Sequence, residues 1–146
     1  FVRFTRNIPT GGDVMTRSLQ QTLGFDYNQA EEYKKSYGLE KAQVGGKVYD
    51  VLKPHLDSII NEVQRAGIFF TKQQPNASIK RVIVAGGTAQ MPGLLLYLAS
   101  NLDYEVEVAN PFKDIILSPK ILQQDPKFVD HGPLFATALG LAIKEA

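Results

Sequence analysis

The sequence predicts an α/β fold, and three observations carry that expectation. A short β-branched run, Ile79-Lys80-Arg81-Val82-Ile83-Val84-Ala85, ends directly in Gly86-Gly87. A second run, Glu105-Val106-Glu107-Val108, alternates charge and valine as a half-buried strand does. Around both lie long stretches with apolar residues at helical spacing, and strands interleaved with helices favour a helix-covered sheet over a bundle or a sandwich.

Taken in order, Phe1-Val2-Arg3-Phe4-Thr5-Arg6-Asn7-Ile8 alternates like a strand and opens without a preceding turn or cap, as a piece of a longer chain would. Pro9-Thr10-Gly11-Gly12 is a turn cluster, and Asp13 stands where a helix N-cap belongs. Val14, Met15, Ser18, Leu19, Thr22 and Leu23 follow at helical spacing until Gly24 stops the helix. Asp26 with Gln29 three residues on makes a capping box for a second helix, with Phe25 and Ala30 as its flanking staple and Gly38 as its stop. The longest periodic face runs from Val44 to Phe70. Pro54 inside it is expected to kink it or begin a second helix, because proline removes a backbone donor. Residues 73–77 form a loop before the first buried strand.

Beyond Gly86-Gly87, Pro92 occupies a first-turn position for a helix that sends Leu94, Leu95, Leu98 and Leu102 inward. Residues 110–133 read as a proline-punctuated loop, and a small apolar helix from Leu134 to Ile143 closes the chain.

Composition narrows the function. The absence of cysteine excludes disulfides, thiolate zinc sites and thiol catalysis, and it fits a reducing cytoplasm. Sixteen basic and fifteen acidic residues leave a net charge of +1 with no basic block, so no nucleic-acid partner is expected. No run reaches the ~20 apolar residues of a membrane-spanning helix.

Gly86-Gly87 is the sharpest chemical signal. A buried strand delivers the backbone to two residues without side chains, at the strand end where open α/β sheets place ligands. A helix start just beyond would add unpaired N–H groups. The same local pattern also describes a tight βα turn with no ligand, and taken alone it favours that simpler reading. In Ala30-Glu31-Glu32-Tyr33-Lys34-Lys35, Glu31 shares a helix face with Lys34 and Lys35; by itself this is a solvated ion-paired helix. Gly11-Gly12-Asp13 lacks the lysine and serine of a phosphate loop and reads as a turn plus cap. His55 falls on the apolar side of the long helix as a packing residue, His131 near the start of the last one, and neither lies in a metal-ligand pattern.

Together these segments resemble the actin-like ATPase superfamily, and within it the PilM family of type IV pilus assembly, with the cell-division protein FtsA as the nearest rival. Phe4-Thr5-Arg6-Asn7-Ile8-Pro9-Thr10-Gly11-Gly12-Asp13-Val14-Met15-Thr16 is similar to the family's opening, Ala30-Glu31-Glu32-Tyr33-Lys34 to its Ala-Glu-x-x-Lys element, and Ile83-Val84-Ala85-Gly86-Gly87-Thr88-Ala89-Gln90-Met91-Pro92-Gly93-Leu94 to its adenosine motif. Val106-Glu107-Val108-Ala109-Asn110-Pro111-Phe112 resembles the PilM-type ending and favours PilM over FtsA, and Ala138-Leu139-Gly140-Leu141-Ala142 resembles the closing helix.

The resemblance implies an α/β, ribonuclease H-like subdomain with a mixed sheet flanked by helices and further N-terminal strands outside this chain. It makes residues 1–146 the C-terminal, adenosine-binding half of an actin-like protein, with residues 26–75 as its helical subdomain. It implies ATP as cofactor, held by Gly86, Gly87, Thr88, Met91, Glu31 and Lys34, with magnesium held by residues absent from this chain. It also implies a slow ATPase at most in the full-length protein and no activity from this chain alone, since both phosphate loops, the second just upstream of Phe1, and the water-orienting residue of the other half lie outside this chain. Partners implied are ATP or ADP, a PilN-like inner-membrane protein contacting the other half, and self-association. The location implied is the cytoplasmic face of the inner membrane. The alternatives are an FtsA-like membrane adaptor and a fragment of a sugar-kinase or heat-shock type ATPase.

Overall fold

The computed structural model describes residues 2–144; Phe1, Glu145 and Ala146 lie outside the described residues. The α/β class holds: six α-helices and a parallel pair of strands.

Helix α1 spans Gly12–Leu23 and ends at Gly24, whose φ of 71° is the left-handed stop that glycine accepts without strain. Its N-cap is Gly11 rather than the expected Asp13. The Met15 N–H reaches back to the Gly11 carbonyl at 3.1 Å, so the helix starts early and Asp13 falls in its first turn. There the carboxylate still meets the positive helix end and pairs with Arg17 at 2.9 Å. Helix α2 spans Tyr27–Tyr37 and has the predicted capping box. The Gln29 N–H donates to the Asp26 carboxylate at 2.9 Å, and the Asp26 N–H donates to Gln29 Oε1 at 3.2 Å. Phe25 stacks against Tyr33, with ring centroids 4.5 Å apart, while Ala30 is fully buried. Gly38 ends α2 as expected.

Helix α3, Lys47–Gln73, runs through Pro54 as one helix, so of the two expectations, a kink or a second helix, the second does not hold. Val48, Leu52, Leu56 and Ile60 are buried on both sides of the proline, and that continuous apolar contact outweighs one missing backbone bond. Val44, expected to begin this face, stands outside it at a φ of 51°. Against the α3 stripe pack Met15 and Leu19 of α1 and Ala30 of α2, forming the larger part of the core.

Strand β1 is Arg81–Val84, helix α4 is Leu94–Asn101 and strand β2 is Glu105–Val108. The strands pair in parallel with Arg81 opposite Glu105 and Val84 opposite Val108. Alternation in β2 is as predicted. β1, expected to be buried, is covered on one face only: Val82 and Val84 turn to the core, whereas Ile83 is 60% exposed. The outer face carries Arg81 bridging Glu105 at 3.2 Å and Glu107 at 3.3 Å.

Residues 2–8 form no strand; the expected mixed sheet is, among the described residues, this one parallel pair. The opening segment instead lies against α3, through Phe4 on Phe69 and an Arg6–Glu62 ion pair. Pro92 precedes the N-cap Gly93 and so lies outside the first turn of α4, because a 3-10 turn, Gly87–Gln90, intervenes. Leu94, Leu98 and Leu102 are buried as expected, but Leu95 is exposed: it falls one residue off the inward stripe.

The predicted loop 110–133 contains helix α5, Pro119–Gln124, and a 3-10 turn, Phe128–His131, which leads into α6, Gly132–Lys144. Phe112, Phe128 and Phe135 cluster with centroids 5.2–5.9 Å apart and tie this segment to α6.

Candidate functional site

Four chain segments meet around one cavity of about 610 Å³. The first is the start of α1, where Gly12 presents its backbone. An added Cβ there would stand 2.6 Å from the Thr88 hydroxyl oxygen and 3.4 Å from Lys34 Nζ, so only glycine allows this approach. The second is α2, which contributes Tyr27, Glu31, Lys34 and Lys35, successive turns of one helix face. The third is the turn after β1, contributing Gly87, Thr88, Gln90 and Met91, and the fourth is the junction of the last 3-10 turn with α6, contributing His131 and Leu134.

The polar wall is a closed hydrogen-bond network. Lys34, with a side chain 7% exposed, donates to the Gly12 carbonyl at 3.0 Å, the Thr16 hydroxyl at 2.7 Å and Glu31 Oε2 at 2.6 Å. An ammonium has three N–H donors, and all three are used. The Thr16 hydroxyl, fully buried, lies 2.5 Å from Glu31 Oε2 and 2.9 Å from the Gly12 carbonyl, to either of which it can donate. Glu31 Oε1 meets Lys35 at 3.2 Å, on a lysine side chain that is 72% exposed. Burial pushes the Glu31 carboxyl up, but the hydrogen bonds from Lys34, Thr16 and Lys35 and the Lys34 charge outweigh it. The group is left well below its ordinary 4.5, at about 2. Glu31 is therefore a fixed carboxylate, able to accept but not donate. At the rim, the Tyr27 hydroxyl donates to Asp13 at 3.0 Å, and that bond raises the phenol pKa.

The structure brings together five of the six sequence-predicted residues: Glu31, Lys34, Gly87, Thr88 and Met91 all line this cavity. Gly86 stands one step back. Its φ of 92° requires glycine, and its N–H donates to the Pro133 carbonyl at 2.8 Å, anchoring the turn to the start of α6. Gln90 fixes the same junction from the other side through the Asp130 carbonyl. Sequence reasoning missed Gly12 and Thr16. A glycine pair ahead of a helix was the available signal for the first. The buried hydroxyl at Thr16 had none, because its partners lie 15 and 18 residues further along the chain. Among the described residues no group of three histidine, aspartate or glutamate side chains is arranged to hold a metal ion.

The family model described as "Type IV pilus assembly protein PilM" matches residues 2–146. The cell division protein FtsA of Neisseria meningitidis serogroup B (strain MC58) is 26% identical over 165 residues, covering 96% of this chain and 36% of that protein. A solved PilM-PilN type IV pilus biogenesis complex superposes with a TM-score of 0.71 at 28% identity, covering 89% of this chain and 35% of that one. The chain thus spans about a third of the length of the relatives it matches.

Proposed function

The chain belongs to the PilM family of type IV pilus assembly, in the actin-like ATPase superfamily, and on that premise we propose that its cavity is the adenosine-holding wall of an adenine-nucleotide site. One observation carries the reading: Glu31 on α2 and Gly87, Thr88 and Met91 after β1, distant in sequence, face a single cavity of about 610 Å³. Its two ends suit the two parts of a nucleoside. The carboxylate at the polar end accepts from sugar hydroxyls. Met91, Leu134 and the side-chain-free backbone at Gly87 offer an apolar slot for a planar base. Residues 1–146 are then the C-terminal half of the nucleotide cleft, with residues 26–75 as its helical subdomain.

ATP supplies phosphate chemistry that this wall does not contact. As the family resemblance implies, the reading leaves magnesium and catalysis to residues outside this chain. The wider role proposed is that of a nucleotide-responsive scaffold at the cytoplasmic face of the inner membrane, binding a PilN-like partner through regions outside this chain and associating with itself. Of these, the similarity to a solved PilM-PilN complex supports the PilN-like partner.

ATP titration of the full-length encoded protein tests the site. A Cβ at Gly87 would lie 3.2 Å from Leu134 Cδ2, and the branched side chain of Gly87→Val would fill the slot. Saturable binding that Gly87→Val weakens at least roughly tenfold supports the assignment, as loss of a buried apolar contact surface predicts. Equal affinity for both proteins removes it.

A further inference from the structure

We propose that Thr16, a residue outside the cavity lining, is the positioning residue that makes this site selective for a ligand with free sugar hydroxyls. The proposal rests on the nucleotide reading above and adds to it a mechanism of discrimination.

Glu31 is the acceptor at the polar end of the cavity, and its two oxygens are unequally occupied. Oε2 takes the Thr16 hydroxyl at 2.5 Å and the Lys34 ammonium at 2.6 Å. Oε1 has only Lys35 at 3.2 Å, and that lysine side chain is mostly in water. The exposed ion pair contributes little and exchanges readily. Oε1 is therefore the oxygen with acceptor capacity to spare, and an ionised carboxylate can satisfy it only with donors. Hydroxyl groups on a sugar are such donors.

Lys34 does not share this task. Its three N–H groups are spent on Gly12, Thr16 and Glu31, so a ligand would have to break an internal bond to engage it. Lys34 and Thr16 form an internal strut that fixes the carboxylate plane, and Lys35 is the cation left facing the ligand. Thr16 is the centre of the strut: its hydroxyl accepts from Lys34 while lying against Glu31, and its exposure is nil. Removing the hydroxyl leaves Glu31 Oε2 with the lysine alone and lets the carboxylate rotate about its terminal bond, which has broad rotamer wells. The simpler account is that the network only pins α1 to α2, and it predicts that the loss of Thr16 weakens every ligand alike.

The experiment measures the affinity of the full-length encoded protein for ATP, 2′-deoxyATP and 3′-deoxyATP, in wild type, Thr16→Val, Thr16→Ser and Glu31→Gln. Wild type should prefer ATP over at least one deoxy form by roughly tenfold, the size of one charge-assisted hydrogen bond in a partly exposed site. Thr16→Val should cut that ratio at least about threefold, Thr16→Ser should restore it, and Glu31→Gln should bring it near one. A wild-type ratio near one, a ratio unchanged in Thr16→Val, or one retained in Glu31→Gln overturns the proposal while nucleotide binding itself stands. Should Thr16→Val not fold, Thr16→Ala, which also lacks the hydroxyl, takes its place: a ratio cut at least about threefold supports the proposal and an unchanged ratio overturns it. Failure of wild type to bind any of the three nucleotides instead overturns the nucleotide reading.

Discussion

The α-carbon of Gly12 lies so close to Thr88 that a methyl group there would come within 2.6 Å of the threonine hydroxyl oxygen. This contact closes the cavity between the start of α1 and the turn after β1. Gly12→Ala adds helix propensity of up to about 1 kcal/mol while overpacking costs about 1–3 kcal/mol. Its melting temperature should therefore move little, while Thr88 is displaced into the cavity and nucleotide affinity falls. Gly11→Ala is the control, since nothing lies within 4 Å of its added Cβ and its φ of −155° suits alanine. Parallel thermal melts and ligand titrations should show a binding defect in the first variant only.

Gly38 couples the end of α2 to the site's far rim. Its φ of 47° is unfavourable for other residues, and an added Cβ would meet the Pro92 carbonyl oxygen at 2.4 Å. The neighbouring Leu39 N–H donates to that same carbonyl at 2.9 Å, so the backbone cannot retreat without losing the bond. Gly38→Ala should destabilise the fold by at least about 2 kcal/mol in urea unfolding. Gly24→Ala, at a φ of 71° but facing open space, should lose only about 1 kcal/mol.

Stability at low pH should depend on Glu31. Its folded-state value of about 2 lies below the ordinary 4.5, so protonation is easier in the unfolded chain. The carboxylate's contribution is then complete above 4.5 and disappears as pH falls towards about 2. Denaturation midpoints followed across that window should fall more steeply for wild type than for Glu31→Gln. The two curves should converge at the acid end. Parallel slopes would show that the Thr16–Lys34–Glu31 network does not hold the charge.

Core energetics should separate buried from exposed leucines. Leu52, fully buried on α3, faces α1 and α2, and Leu52→Ala should cost about 2–5 kcal/mol. Leu96 on α4 is 74% exposed, and Leu96→Ala should stay within about 0.5 kcal/mol. Chemical denaturation with an unchanged m-value would confirm both.

The sequence by itself determined what short-range chemistry dictates. The Asp26-Gln29 capping box, the stops at Gly24 and Gly38, the valine-in, glutamate-out alternation of β2 and the α/β order all stood in the chain as local patterns. So did the ordered motifs from Phe4 to Ala142 that resembled the PilM family. Each depends on backbone preferences within a few residues, which tertiary contacts did not override.

Tertiary structure alone decided the rest. It carried α3 through Pro54 because a buried stripe continues on both sides, and it left residues 2–8 unpaired although their alternation looked like a strand. It turned Gly87 rather than Gly86 into the cavity, by tying the Gly86 amide to Pro133. Most of all, it changed what Glu31 and Lys34 are. As a sequence pair they form a solvated i,i+3 bridge. Folded, the lysine is sealed between Gly12, Thr16 and Glu31 with no donor to spare, and the glutamate keeps one oxygen met only by the exposed Lys35. The crossing of α1 over α2 brings those groups together, and that crossing is fixed by Met15, Leu19 and Ala30 packing on α3. Helical spacing places a side chain on a face; the neighbouring helix determines what it meets there.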